Sequence, residues 1–376
     1  FFAYSSVAAF FACLASLLVV FVAPRAEGSG IPEVKSYLNG VHLKGLFSFP
    51  TLIGKAVGCA FSIGSGLIAG REGPIIHVGA ILGSAISQGS SSWFKMRLPS
   101  TIVKHFRSAE WKRDFAVMGS ACGVAAAFGA PMGGVLFAIE EGATVWRQQL
   151  TFMTMYGAVL TAFLFSIIIG LIHDSHKAPV IPEVLFGSFK EEASHITFTT
   201  TDAPYVILVG LIGGSIGVLF SAGQRVLSGL RKKYIRPSKY STIIEVIVVS
   251  LLVSLCRFFV PYIWGKCIDS HDYEEALETH HLPLAAPFFC EHDEINDLGT
   301  IFWVPSGTML KWILHAQAYD AIPVSHLFGG LAFFFTFTML VFGIAVPSGL
   351  FVPSFMIGAC FGRLVGLLAA LVVLQL

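Results

Sequence analysis

Long apolar runs separated by short polar intervals make up most of the chain. Segments of spanning or near-spanning length cover approximately Phe1–Val22, Leu46–Ile68, Ile75–Ile86, Phe115–Ala127, Gly133–Ile139, Phe152–Ile172, Tyr205–Ala222, Ile243–Tyr262, Leu327–Val346 and Gly349–Leu376. Apolar runs of this kind predict membrane helices, which need about 20 residues to cross a bilayer. Several are too short to cross about 30 Å of hydrocarbon at 1.5 Å per residue. The short pieces carry glycine or proline at their ends: Pro74, the Phe128–Gly134 stretch FGAPMGG, and Pro347 and Pro353. Broken helices are tolerated within a membrane only where they are buried or line a cavity. That arrangement belongs to transporters and channels more than to receptors or anchors.

Composition narrows the class. Of 376 residues, 55% are hydrophobic and 12% charged, against about 25% charged in soluble domains, and mean hydropathy is +0.75. These values exclude a soluble enzyme, a disordered regulator and a nucleic-acid binder. With 24 basic against 23 acidic residues the net charge is +1, so no basic field is available to attract phosphate backbones. The seven cysteines show neither CxxC pairs nor metal-ligand spacing, so no zinc site is signalled, and no cofactor is expected in this chain. Both ends fall inside apolar runs, which predicts an internal piece of a longer polypeptide, with no signal peptide to be read.

Charge also predicts orientation. The connection from Trp93 to Arg113 carries Lys95, Arg97, Lys104, Arg107, Lys112 and Arg113, and Arg225 to Lys239 adds Arg231, Lys232, Lys233 and Arg236 without an acid. Both are expected in the cytoplasm. Lys266 to Asp297 is acidic, and the single run Ile243–Tyr262 separates it from the second basic loop. This loop is expected to face the exterior or an organelle lumen. Its Cys267 and Cys290 are the only cysteines on that side, where disulfides are permitted. A bridge or two free thiols both fit the sequence. Gly58, Gly64, Gly66 and Gly70, then Gly210, Gly213, Gly214 and Gly217, predict small faces for close helix approach.

Three motifs place broken backbone at a helix start: GSGIPE (Gly28–Glu33), GREGP (Gly70–Pro74) and GLFVP (Gly349–Pro353). A helix N-terminus has unpaired N–H groups and roughly half a positive charge. Several converging in mid-membrane would form an anion site without a buried lysine or arginine, and partial dipoles let the anion leave again. The Ser29 hydroxyl would add a neutral donor. Glu72 sits at such a break, where a carboxylate is costly unless protonated or held at a positive helix end. It could fill the anion position and leave on protonation, or pair with Arg71. Glu140 and Glu141 follow Gly133–Ile139. Adjacent helical residues point about 100° apart, so one can face inward as a proton relay, unless both are solvated helix-end charges.

The stretches GSGIPEVKSYLNG (Gly28–Gly40), AGREGPIIHVGA (Ala69–Ala80), AAFGAPMGGVLFAIEEG (Ala126–Gly142) and VPSGLFVPS (Val346–Ser354) resemble the CLC chloride channel and transporter family, in order and over nearly the whole chain. FAIEEGATVW and FFCEHDEINDLGTIFW are closest to its endosomal–lysosomal chloride/proton antiporter branch. The resemblance implies an all-α polytopic fold with two antiparallel halves, a first half at residues 1–172 and an incomplete second at 203–376. It implies voltage-influenced transport and a homodimer with one anion pathway per subunit. An accessory membrane subunit and an endosomal, lysosomal or vacuolar membrane also fit that branch. Chloride and protons are the implied partners. Ser29, Gly30, Ile31, Leu350 and Phe351 would hold chloride, Glu72 would gate, and Glu141 would pass protons. Ser29, where nitrate-accumulating members carry proline, implies chloride selectivity. The family's first membrane helix, final helices, chloride-site tyrosine and cytoplasmic CBS domains lie outside this chain.

Two other readings remain. A passive CLC-type channel shares the architecture, although channels carry an uncharged residue at the position of Glu141. An intramembrane enzyme has little support, since neither H-E-x-x-H nor a Walker sequence occurs. The one G-x-S-x-G string, Gly213–Gly217, lies inside an apolar helix rather than at a strand-to-helix turn.

Overall fold

The long apolar runs fold as helices, and the glycine and proline breaks set where those helices begin. The computed structural model describes residues 1–91, 96–97, 105–142, 146–172, 203–269, 288–291, 294–304, 306–314 and 323–374. Helix α1 (Phe2–Leu17) continues through a π-helical turn to Val22, and α2 (Ile31–Leu38), α3 (Phe49–Gly64) and α4 (Glu72–Gln88) follow. A two-residue ribbon pairs β1 (Ser90–Ser91) with β2 (Met96–Arg97). Then come α5 (Ala109–Phe128), α6 (Pro131–Phe137) with a π-helical turn over Ala138–Gly142, α7 (Gln148–Ile172), α8 (Ala203–Tyr234) and α9 (Lys239–Trp264). The remainder is β3 (Cys267–Asp269), β4 (Glu294–Asn296), α10 (Asp297–Trp303), α11 (Ser306–Leu314), α12 (Val324–Val341) and α13 (Phe351–Leu374). Among the described residues six helices are long and apolar enough to cross a membrane: Phe2–Val22, Gln148–Ile172, Ala203–Tyr234, Lys239–Trp264, Val324–Val341 and Phe351–Ala369. This is an all-α multi-pass membrane protein.

The structure corrects several boundaries. The apolar stretches Ile75–Ile86 and Phe115–Ala127 sit inside longer helices, because capping carries the helix beyond its apolar part. At α5 the Ser108 hydroxyl accepts from the Trp111 N–H at 3.3 Å, with Glu110 in the first turn, both favourable at a positive helix end. Gly89, at φ +55°, closes α4. Helices α10 and α11 were not among the predicted runs, yet they bury Leu298, Ile301, Phe302, Met309, Leu310 and Ile313. At seven and nine residues they are too short to register as spans. What starts α10 is Asn296, whose side-chain oxygen accepts from the Gly299 N–H at 2.7 Å. The run Leu327–Val346 is likewise interrupted: α12 stops at Val341 and the chain extends through Gly343 toward Pro347.

Among the described residues three cores hold the bundle, the smallest being Ala125, Val135 and Ala158 of α5, α6 and α7. The largest joins α1, α9, α10, α11, α12 and α13, and the second joins α2, α4 and α5 with Leu150 of α7. The most extensive helix packing among the described residues is between α4 and α5, and it does not use the predicted glycines. A Cβ on Gly119 would stand 2.8 Å from the Gly79 carbonyl carbon, and one on Gly123 would stand 2.7 Å from the Ile76 Cα. Gly58 does meet a neighbour, the Pro347 ring, at 2.9 Å. Gly210, Gly213, Gly214 and Gly217 have no described atom within 4 Å of such a Cβ, so α8 does not use them for close packing against the described residues. Glycine spacing marks a small face, but only the neighbour decides whether anything approaches it.

Just past the C-terminal end of α9, β3 and β4 pair antiparallel, Cys267 facing Asn296. Cys267 and Cys290 form the disulfide, with Cα atoms 5.7 Å apart. Beneath it the buried Asp297 accepts from the backbone N–H of Lys266 at 2.9 Å and pairs with buried His326 of α12.

Two outcomes follow. Gly123→Ala forces a methyl into the backbone of α4, an overpacking cost of about 1–3 kcal/mol, whereas Gly64→Ala meets only the Phe11 ring at 3.7 Å. Thermal melting monitored by size-exclusion should show a clear loss for Gly123→Ala and little change for Gly64→Ala. In peptide maps of unreduced denatured protein, Cys267 and Cys290 should resist alkylation while Cys13, Cys59, Cys122, Cys256 and Cys360 react.

Candidate anion site

The three helix starts picked out by sequence lie against one another. Gly28 and Pro347 form a parallel bridge, with the Gly28 N–H donating to the Val346 carbonyl at 3.0 Å and the Ser348 N–H donating to the Gly28 carbonyl at 3.1 Å. Gly70 and Gly349 form an antiparallel bridge, exchanging hydrogen bonds of 2.8 and 2.7 Å. These two pairs draw the N-termini of α2, α4 and α13 to one place. Three positive helix ends are then close neighbours, since a Cβ on Gly73 would stand 2.7 Å from the Ser29 Cβ and 3.5 Å from the Gly349 Cα.

Glycine is required at the contact. Gly30 caps α2 at φ +84°, a left-handed conformation costly for residues with a Cβ, and His77 of α4 fills the space a side chain would need. A Cβ on Gly73 would fall 2.7 Å from the Ser29 Cβ, so α2 and α4 touch at these residues. The Ser29 hydroxyl accepts from the Ile31 N–H at 3.3 Å, and its own hydrogen remains free to donate elsewhere. Leu350 and Phe351 open α13, with Leu350 half-buried and Phe351 at the exposed edge. Phe351 meets the Phe128 ring edge-on at 5.9 Å, which brings the FGAPMGG break to the same region.

Glu72, the first residue of α4, is 4% exposed. Its Oε2 has no hydrogen-bond partner among the described residues. The carboxylate occupies the space over Gly70, where a Cβ would also stand 3.3 Å from the Gly349 carbonyl oxygen and 3.4 Å from the Val352 nitrogen. It therefore lies beside the first turn of α13. Arg71 is no close partner: its Nε is 3.9 Å from Glu72 Oε1 and its side chain is 55% exposed. A buried carboxylate with one unpartnered oxygen at these helix N-termini occupies the position an anion would take, and Glu33, in the first turn of α2, is a second acid whose Oε2 has no partner among the described residues.

Sequence reading missed Lys55. It lies within the predicted run Leu46–Ile68, is fully buried, and donates to the carbonyls of Ala26, Glu27 and Gly28 at 3.1, 3.1 and 2.8 Å. All three ammonium hydrogens have acceptors. The available signal was a lone cation inside an apolar run, since such residues are rare and point inward. His77 and Ser348 are two more buried polar groups near the helix starts. Neither His77 ring nitrogen, nor the Ser348 hydroxyl, has a partner among the described residues.

Ser29, Gly30, Ile31, Glu72, Leu350 and Phe351 are thus gathered at one junction. Glu141 has its backbone in the π-helical turn Ala138–Gly142, which packs against α2, and its side chain lies outside the described residues. Glu140, beside it, is exposed.

Known proteins are similar to this chain in sequence and fold. The chain is 33% identical over 359 residues to human "H(+)/Cl(-) exchange transporter 7", covering 95% of this chain and 43% of that protein. It is 35% identical over 363 residues to "Chloride channel protein CLC-d" of Arabidopsis thaliana, covering 92% and 44%. The chain therefore spans less than half the length of these relatives. Its fold matches the crystal structure of a eukaryotic CLC transporter with a TM-score of 0.65 at 23% identity, covering 98% of this chain and 52% of that one. It also matches a slow cyanobacterial Cl-/H+ antiporter with a TM-score of 0.68 at 18% identity, covering 99% and 69%. Because the family model described as "Voltage gated chloride channel" matches residues 11–376, the chain belongs to that family, the CLC proteins.

Proposed function

We propose that the protein exchanges chloride for protons across a membrane, with Glu72 alternately filling and vacating the anion position. The observation that carries this reading is the buried Glu72 carboxylate at the meeting point of three helix N-termini, its Oε2 unpartnered among the described residues. Dipoles favour a negative charge there without a fixed cation that would hold it permanently. A protonated Glu72 is neutral, loses that attraction, and gives its place to chloride. One group then couples the two ions, because the carboxyl enters the site without a proton and leaves with one.

Within this reading Ser29, Gly30 and Ile31 present α2 to the ion, and Leu350 and Phe351 present α13. Glu141 passes protons from the cytoplasmic side, since the turn that carries it packs on α2. The names of the human and cyanobacterial proteins, an H(+)/Cl(-) exchanger and a Cl-/H+ antiporter, favour exchange over a passive channel. The same reading takes residues 1–172 and 203–376 as two halves of the membrane domain, the assembly as a homodimer, and an acidic organelle as the compartment. The disulfide-closed ribbon faces its lumen, where an oxidised cysteine pair persists.

Chloride and proton fluxes of the full-length protein in proteoliposomes test it. An imposed chloride gradient should drive protons uphill in the opposite direction. Chloride flux with no proton movement would establish the passive channel instead. Glu72→Gln, which mimics the neutral carboxyl, should keep chloride flux and reduce proton movement to background. Proton transport at the normal rate in that variant would remove Glu72 from the mechanism. Glu141→Ala should likewise abolish proton movement while chloride still crosses, with Glu140→Ala leaving coupling intact. The opposite result would transfer the proton role to Glu140.

A further inference from the structure

The anion junction has a second fastening at its rim, made by side chains from the basic loop between α8 and α9. Arg236 donates from Nη1 to Glu27 Oε2 at 2.7 Å and from Nη2 to Glu27 Oε1, and the same Nη2 reaches the Gly343 carbonyl at 3.0 Å. Glu27 immediately precedes Gly28, and Gly343, at φ +90°, lies in the non-helical segment that leads from α12 to the α13 N-terminus. These two segments meet again at the Gly28–Pro347 bridge. Arg236, Glu27, Gly28, Val346 and Gly343 therefore close a ring, with the backbone bridge on one side and the guanidinium on the other.

The neighbouring cation has a different task. Arg231 is buried and donates to Glu245 Oε1 at 2.6 Å, to the Phe342 carbonyl at 2.7 Å and to the Leu340 carbonyl. Gln224 adds a hydrogen bond to the Met339 carbonyl at 2.5 Å. These contacts cap the negative C-terminal end of α12, but they join it only to α8 and α9. Arg236 is the residue of this cluster that reaches the segment leading into α2.

We propose that Arg236 is a positioning residue for the anion site: by gripping Glu27 and Gly343 together, it sets the separation between the N-termini of α2 and α13, and hence how well the site fits chloride. The role depends on the fork shape of the guanidinium, which can hold a carboxylate with two nitrogens while reaching a carbonyl. An ammonium keeps the charge and loses that geometry. Side chains of Arg236 and Glu27 are 33% and 29% exposed, so the pair lies at a water-facing rim, where an ion pair contributes little to overall stability. The variants should therefore fold, and their effect should appear in ion recognition. Arg225 and Lys232 line the cavity of about 490 Å³ over this cluster, so the rim stays cationic in every variant below except where noted.

This inference rests on the anion-transport reading, and the test separates the two. Chloride flux against chloride concentration, and the chloride-to-nitrate flux ratio, are measured per folded protein for the full-length wild type, Arg236→Lys, Glu27→Gln, Arg236→Glu, and the exchange Glu27→Arg with Arg236→Glu. Arg236→Lys and Glu27→Gln should each raise the KM for chloride roughly five- to tenfold and bring the chloride-to-nitrate ratio toward one, the scale of losing one bidentate contact. Arg236→Glu, which removes rim charge and opposes Glu27, should be worse. The charge exchange should recover part of the affinity, because it restores the bidentate ion pair in the opposite direction, although not the hydrogen bond to the Gly343 carbonyl. KM and selectivity within about twofold of wild type in Arg236→Lys and Glu27→Gln would overturn the proposal. So would variants that only lower the yield of folded protein, or an exchange no better than Arg236→Glu. A wild-type protein that moves no anion would instead overturn the anion reading, and the positioning role with it.

Discussion

Four backbone hydrogen bonds, Gly28 with Val346 and Ser348, and Gly70 with Gly349 in both directions, hold the functional centre together. A helix satisfies its own backbone and has no need to pair with a distant segment. These five residues do so because they lie outside the helices, where N–H and C=O groups lack helical partners. In a membrane interior such groups must pair or cost several kcal/mol each. Pairing them therefore serves stability, and it also brings the starts of α2, α4 and α13 together. Small residues follow from the same constraint. A Cβ on Gly349 would stand 2.9 Å from the Gly70 oxygen and 3.1 Å from the Gly73 nitrogen, so any side chain there would separate the strands.

Three cations around this junction, Lys55, Arg231 and Arg236, are turned away from it, and Arg71, the N-cap of α4, keeps its Nε 3.9 Å from Glu72 Oε1 with its side chain mostly exposed. Lys55 is buried closest to the GSGIPE segment, yet its ammonium is committed to three carbonyls. Arg231 and Arg236 hold the end of α12 and the Glu27 carboxylate. Each full charge thus has a full or partial negative partner, and dipoles remain as the source of positive potential at the site. That balance suits transport, since a bare buried cation would bind an anion too tightly to release it.

Much of the molecule is readable from its residues. The alternation of apolar runs with charged loops marks the long helices, because the hydrophobic cost of a misplaced charge is large at every position. The acidic stretch with its cysteine pair is readable for a related reason: only one side of a membrane permits a disulfide. Short buried helices are harder. The Asp297–Trp303 and Ser306–Leu314 segments mix polar caps with a few apolar residues, and their burial depends on neighbours remote in the chain. Glycine faces show the same limit, as Gly119 and Gly123 are pressed against α4 while a Cβ on Gly210, Gly213, Gly214 or Gly217 would have no described atom within 4 Å.

Local chemistry by itself determined that Gly28–Glu33, Gly70–Pro74 and Gly349–Pro353 would each begin a helix, since glycine, proline and capping hydroxyls act within a few residues of themselves. It determined too that Glu72 would be unusual, a lone carboxylate at an apolar break. Only the tertiary structure decided that the three starts coincide, that Lys55 closes over the carbonyls of Ala26 to Gly28, and that Arg236 reaches Glu27. Those contacts join residues dozens to hundreds of positions apart. Nothing in a local pattern encodes such a meeting, which arises when the paired backbone and the packed helix faces are satisfied together.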